Sequence, residues 1–153
     1  MAAKESLHAV CRWTFNPGKG GFVPADMRPG WGPDKLDTVA VIKLIRARIA
    51  PRLPDHVKLG LEVHYDTEVD ERTAAEVADA LVDAGIHLAM TTPGAHSHFA
   101  YGGISSLDPS ERKQAEAFGQ RAVELTYGPL RKAWHSDPGK SPSFIIWSRW
   151  FSL

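Results

Sequence analysis

The chain has 153 residues, 43% of them hydrophobic, which suits one domain with its own core. Eighteen basic residues balance eighteen acidic ones, so neither a nucleic-acid surface nor a charged membrane-binding face is indicated. Cys11 is the single cysteine, which excludes an internal disulfide and a thiolate zinc cluster. No stretch approaches the ~18–20 apolar residues of a membrane span. The opening MAAKESLHAV lacks the apolar run of a signal peptide. The expectation is a single cytoplasmic domain over residues 1–153, with neither nucleic acid nor membrane among its partners.

Residues 7–14, LHAVCRWT, read as a short buried strand. The Gly- and Pro-rich loop FNPGKGGFVPADMRPGWGPDK follows. Loops this long inside a compact domain are usually functional or disordered. Asp37 is placed to cap a helix from Thr38 to Ala50, with Val41, Ile42, Ile45 and Ile49 at helical spacing and Pro51 and Pro54 beyond its end. In VKLGLEVHY (57–65), Val57, Leu59, Leu61 and Val63 alternate with Gly60, Glu62 and His64, the pattern of a strand.

Asp70 is a cap for the helix ERTAAEVADALVDA, whose apolar stripe is Ala74, Val77, Ala78, Leu81 and Val82 and whose stop is Gly85. IHLAMTT (86–92) is a third strand. Asp108-Pro-Ser-Glu111 has the pattern of a capping box and opens a helix running to Tyr127, before Gly128-Pro129. SFIIW (143–147) is a fourth strand. The order β-loop-α-β-α-β-loop-α-β calls for an α/β fold with a parallel sheet.

Chemistry in such folds gathers at the carboxyl ends of the strands. Those ends hold Trp13 and Phe15, His64 and Asp66, Thr92 to Phe99, and Trp147. A histidine there is suited to moving a proton or holding a sugar oxygen. His96 and His98 are spaced to share one face of an extended segment. Hydrogen bonding is favoured over metal ligation for them, because no carboxylate cluster completes a coordination shell. Asp66, Glu68 and Asp70 are read as capping and solvated residues. DPGKS (137–141) is similar to part of a phosphate loop, but the first glycine of that motif falls on Trp134 and the segment precedes a strand. GKGG (18–21) reads as a flexible loop rather than an anion cradle.

Four stretches in collinear order, LDTVAVIKLI (36–45), LGLEVHYD (59–66), AMTTPGAHSHFAYGGISSLDPSERKQAEAF (89–118) and FIIW (144–147), resemble the xylose isomerase-like TIM barrels, the sugar isomerase and epimerase family. The resemblance implies a (βα)3β half of such a barrel, with four parallel strands and three covering helices. It implies an aldose–ketose isomerase or epimerase acting on a monosaccharide with divalent Mg, Mn or Co. His64, with Asp66, would hold the sugar ring oxygen and assist opening. Trp13, Phe99 and Trp147 would wall the pocket, with Thr91 and His96 nearby. The family's metal ligands come from strands five to eight, so none is assigned in this chain, and Tyr65 and Thr67 interrupt its run of aspartates after the histidine.

A whole barrel needs about 200 residues or more. The ending SRWFSL is expected to reflect a frame change or a premature stop. The reading is then of an N-terminal fragment, inactive alone, whose inner face shows Trp, Val, Met and Ile and associates with a missing half-barrel or a second copy. The alternative is a non-enzymatic α/β half-barrel that oligomerises or binds a sugar. An open flavodoxin-like sheet is disfavoured, because Gly18–Gly21 lies far from a helix start.

Overall fold

The alternation of strand and helix patterns in the sequence becomes a parallel sheet with helices between its strands. The computed structural model describes residues 6–15, 37–93, 98–134 and 143–144. Strands β1 (Ser6–Cys11), β2 (Val57–His64) and β3 (His87–Thr92) lie side by side in chain order, each parallel to the next. Helices α1 (Thr38–Arg48), α2 (Ala74–Ala84) and α3 (Pro109–Tyr127) occupy the intervals expected for them. Beyond β3, the two-residue segment β4 (Ser143–Phe144) pairs parallel with Met90 and Thr91. The remainder of the expected fourth strand, including Trp147, lies outside the described residues, as does His96.

The helices share one core with the sheet. Val41, Ile42 and Ile45 of α1, Val77, Ala78 and Leu81 of α2, and Phe118, Ala122 and Leu125 of α3 pack with Leu59, Leu61 and Val63 of β2 and Leu88 of β3. Each large aliphatic side chain so buried contributes roughly 1.5–3 kcal/mol relative to exposure. The β2 alternation is therefore read correctly: the odd positions face the helices. Val82 is a correction, being 51% exposed at the edge of the α2 stripe instead of within it.

Several boundaries move for local reasons. β1 stops at Cys11, and Arg12–Phe15 turn as a short 3-10 helix, because the Arg12 side chain folds inward and is buried. The Asp37 side chain accepts from the Ala40 amide, as a cap should, but α1 ends at Arg48 and a 3-10 turn at Ala50–Arg52 carries the first proline. Asp70 accepts from the amides of Arg72 (3.1 Å) and Thr73 (2.9 Å), heading a turn that delays the start of α2 to Ala74. Burial works to raise the Asp70 pKa, but the Thr73 and Arg72 donors outweigh it and hold the carboxyl down at about 2. Gly85 closes α2 with φ 64°, a left-handed conformation that glycine adopts without penalty. Asp108 caps α3 through the Ser110 amide at 2.8 Å. Glu111 departs from the capping-box expectation: its carboxylate accepts from the amides of Tyr101 and Gly103, both at 3.0 Å, and ties the preceding loop to the helix.

On the face of the sheet opposite the helices, half-buried Met90, paired with Glu62, agrees with the expected exposure of Met, while the expected Val and Ile are not found there. Val63 and Ile86 are buried. The register instead lines up Leu7, Ala9 and Cys11 of β1 with Lys58, Gly60 and Glu62 of β2. Gly60 has no room for a side chain on that face. A Cβ built there would lie 2.8 Å from the Ala89 Cβ and 3.4 Å from Leu7. Between Leu61 and Glu62 the β2–β3 register shifts: Leu61 pairs with Leu88 but Glu62 pairs with Met90, leaving Ala89 as an extra residue on β3. After that bulge, Thr91 pairs with Val63 and Thr92 with His64.

Candidate functional site

A cluster of polar side chains forms where β1, β2 and β3 end. His64 is the last residue of β2 and is largely buried. The chain then doubles back. Asp66 takes a positive φ of 72°, uncommon for a residue with a Cβ, and Tyr65 bridges Val69. The amides of Glu68 and Val69 both donate to the His64 carbonyl, at 3.0 and 3.2 Å. This tight turn brings Glu68 back against the strand end. Its Oε2 accepts from the His64 amide at 2.8 Å and lies 3.4 Å from the imidazole Nδ1. The backbone bond is the firm part of this tether; the ring contact is longer.

Glu68 is buried, and so is the cation beside it. Arg12 Nη1 lies 3.9 Å from Glu68 Oε1, with the two side chains only 4% and 6% exposed. The Arg12 Nε donates to the Thr38 hydroxyl at 3.1 Å, and that hydroxyl donates to the Glu68 carbonyl. One network thus joins the end of β1, the first residue of α1 and the turn after β2. Burial lowers the Arg12 pKa, and the charges of Glu68 and Asp37 oppose that effect. A buried pair of this kind fixes geometry more surely than it adds stability, since desolvation offsets much of the attraction.

On the face opposite the helices, Glu62 accepts from the Thr92 hydroxyl at 2.9 Å and from the Cys11 thiol. Burial, followed by the hydrogen bond to Glu62 and its charge, pushes the Cys11 thiol up to about 12. Burial alone would lower the His64 pKa. The hydrogen bond and charge of Glu68, with the charge of Glu62, outweigh it, so the imidazole holds its proton more firmly than a free histidine.

The residues singled out from the sequence fall into separate groups. His64 lies at the centre of the cluster. Asp66, expected beside it, pairs instead with His98 at 3.2 Å. The carboxylate that reaches His64 is Glu68, which the sequence reading assigned to capping and solvation. Thr91 is fully buried on the Val63 side, with its hydroxyl unpartnered, and the threonine that joins the cluster is Thr92. Phe99 packs edge-on against Phe118, with ring centroids 5.8 Å apart, and His98 lies 4.7 Å from the same ring. Trp13 is exposed in the turn after β1, while Phe15 packs against the core.

Arg12, Thr38, Glu62 and Glu68 were missed as site residues. For Glu62 a signal existed: it shares a strand face with His64. For the others the sequence carries no spacing signal, because a reversed turn and an inward-folded arginine bring them together.

Among the described residues, no group of three or more His, Cys, Asp or Glu converges to hold a metal ion. Also among them, no helix is long and apolar enough to cross a membrane. No protein-family model matches the chain, and no curated protein matches it.

Proposed function

We propose that this chain forms one wall of a monosaccharide pocket in a metal-dependent sugar isomerase, as half of a xylose isomerase-like barrel. The observation that carries the reading is the His64–Glu68 tether at the carboxyl end of a central parallel strand. A carboxylate at Nδ1 favours the tautomer protonated there and orients the ring, which leaves Nε2 to meet a ligand. Such a group suits proton exchange at a sugar ring oxygen, the step that opens a cyclic aldose. Glu68, not Asp66, takes the orienting role. Thr92, across from His64, supplies a neighbouring hydroxyl.

The resemblance also implies Mg, Mn or Co. The described side chains do not fit such a centre, so no step is derived through a metal. Leu7, 42% exposed on the sheet face opposite the helices, favours a covering partner, either a second half-barrel or another copy of the chain.

Saturation-transfer NMR on the full chain with a panel of aldoses and ketoses tests the reading. Saturation of an aldose signal by the wild-type chain, reduced severalfold in His64→Gln, is the expected result. Absence of transfer to every sugar, or transfer unchanged by His64→Gln, overturns it.

A further inference from the structure

We propose that Glu62 is a positioning residue which, together with Glu68, keeps a proton on His64. Glu62 precedes His64 by two positions on β2, so both side chains project from the same face of the sheet, about 7 Å apart along the strand. Its carboxylate is clamped from both sides. Thr92, the β3 partner of His64, donates at 2.9 Å, and Cys11, the β1 partner of Glu62, donates its thiol. Both donors are neutral, so neither cancels the charge of Glu62. The clamp holds that charge beside the imidazole.

Among the described residues, the charged and titratable groups around His64 are few on each neighbouring element. β2 itself gives Glu62. The turn after β2 gives Glu68, on the Nδ1 side, and Asp66, which is engaged by His98. β1 and its following turn give Cys11, a neutral thiol, and Arg12, which sits against Glu68. α1 gives Asp37 at its cap, whose charge acts on Arg12. β3 contributes the uncharged Thr92. Arg12 offsets part of the Glu68 charge, which makes the second carboxylate matter. With both, the imidazole is a proton donor at a higher pH than an isolated histidine would be.

The proposal rests on the sugar reading only for the use of that proton. The test is made without sugar, so the two fail separately. The His64 ring resonances of the full chain, identified by their loss in His64→Gln, are titrated by NMR in wild type, Glu62→Gln and Glu62→Asp. The expected result is a midpoint about half a unit to one unit lower in Glu62→Gln, roughly three- to tenfold in proton affinity, with most of it recovered in Glu62→Asp. Added salt, to about 1 M, narrows the difference by screening. Equal midpoints in wild type and Glu62→Gln overturn the proposal. So does an equal loss in Glu62→Gln and Glu62→Asp, which would mark a packing effect. Should Glu62→Gln not fold by circular dichroism, the wild-type salt titration decides together with Glu62→Asp. A midpoint that falls with salt and survives in Glu62→Asp supports the proposal; a midpoint unmoved by salt overturns it.

Discussion

Replacing Gly60 by alanine tests the packing of the sheet at one atom. The added Cβ would lie 2.8 Å from the Ala89 Cβ, where an ordinary carbon contact is about 3.5–4.0 Å. Both atoms are fixed directly to strand backbone, so neither swings aside, and the strands must part by several tenths of an ångström. The Leu7 contacts at 3.4 and 3.5 Å leave little room on the other side. Overpacking of this kind costs about 1–3 kcal/mol. The lower entropy of an unfolded chain with alanine returns about 0.4–1 kcal/mol. The net expectation is a loss of about 1–2 kcal/mol, or about 2–8 °C in Tm for a chain of this size. Urea unfolding followed by circular dichroism measures it. The double variant Gly60→Ala with Ala89→Gly should regain most of the loss, because the clash needs both methyl groups. A Gly60→Ala chain as stable as wild type, or a double variant no better than the single, would refute the close approach of β2 and β3.

Four other outcomes follow from the strand-end cluster and the caps. The raised His64 pKa contributes stability that is present below the unfolded value of about 6.5 and lost as pH rises through the folded value, so Glu68→Gln should flatten the decline of stability as pH rises past about 6.5. The same change removes the Glu68 charge from beside buried Arg12 and should cost about 1–3 kcal/mol at pH 7 by urea unfolding. Cys11, with its thiol pushed up to about 12, should react with an aromatic disulfide at pH 8 about a hundredfold or more slowly folded than in urea, and Glu62→Gln should speed the folded reaction. The depressed Asp70 carboxyl contributes stability above about pH 4 that is lost as pH falls through about 2; Asp70→Ala should cost about 1 kcal/mol at pH 7 and progressively less across that acid range, read by thermal melts.

The fold class was legible because its signals are local. Alternation in 57–63 set the β2 faces, Asp37 and Asp108 marked two helix starts, and Gly85 marked a stop. What escaped the sequence depends on the path of the backbone between those signals. Glu68 reaches His64 only because Asp66 adopts a left-handed conformation, and no composition rule calls for that at an aspartate. Arg12 is a charged residue in a segment read as strand; its burial follows from partners 26 and 56 positions away, Thr38 and Glu68. Glu111 matched a capping box by spacing, yet two loop amides compete for its carboxylate and win. The contact of Phe99 with Phe118 on α3 has no sequence signal for the same reason, being set by how the helix returns over the sheet.

The single extra residue at Ala89 changes what β3 offers to each side. A strand alternates its faces with every residue, so an insertion of one exchanges the two sides from that point onward. Before Ala89 the helix side is served by Leu88; after it, by Thr91, while Thr92 turns to Glu62 and His64. The last two positions of β3 are both threonine. If the bulge were ironed out by a slip of β3 that paired Ala89 with Glu62, Thr91 would take the place opposite the histidine and Thr92 would move inward, and a hydroxyl would still lie beside Glu62. The repeated threonine makes the strand-end cluster indifferent to the phase of its neighbour, a tolerance to one-residue slippage written into two adjacent codons.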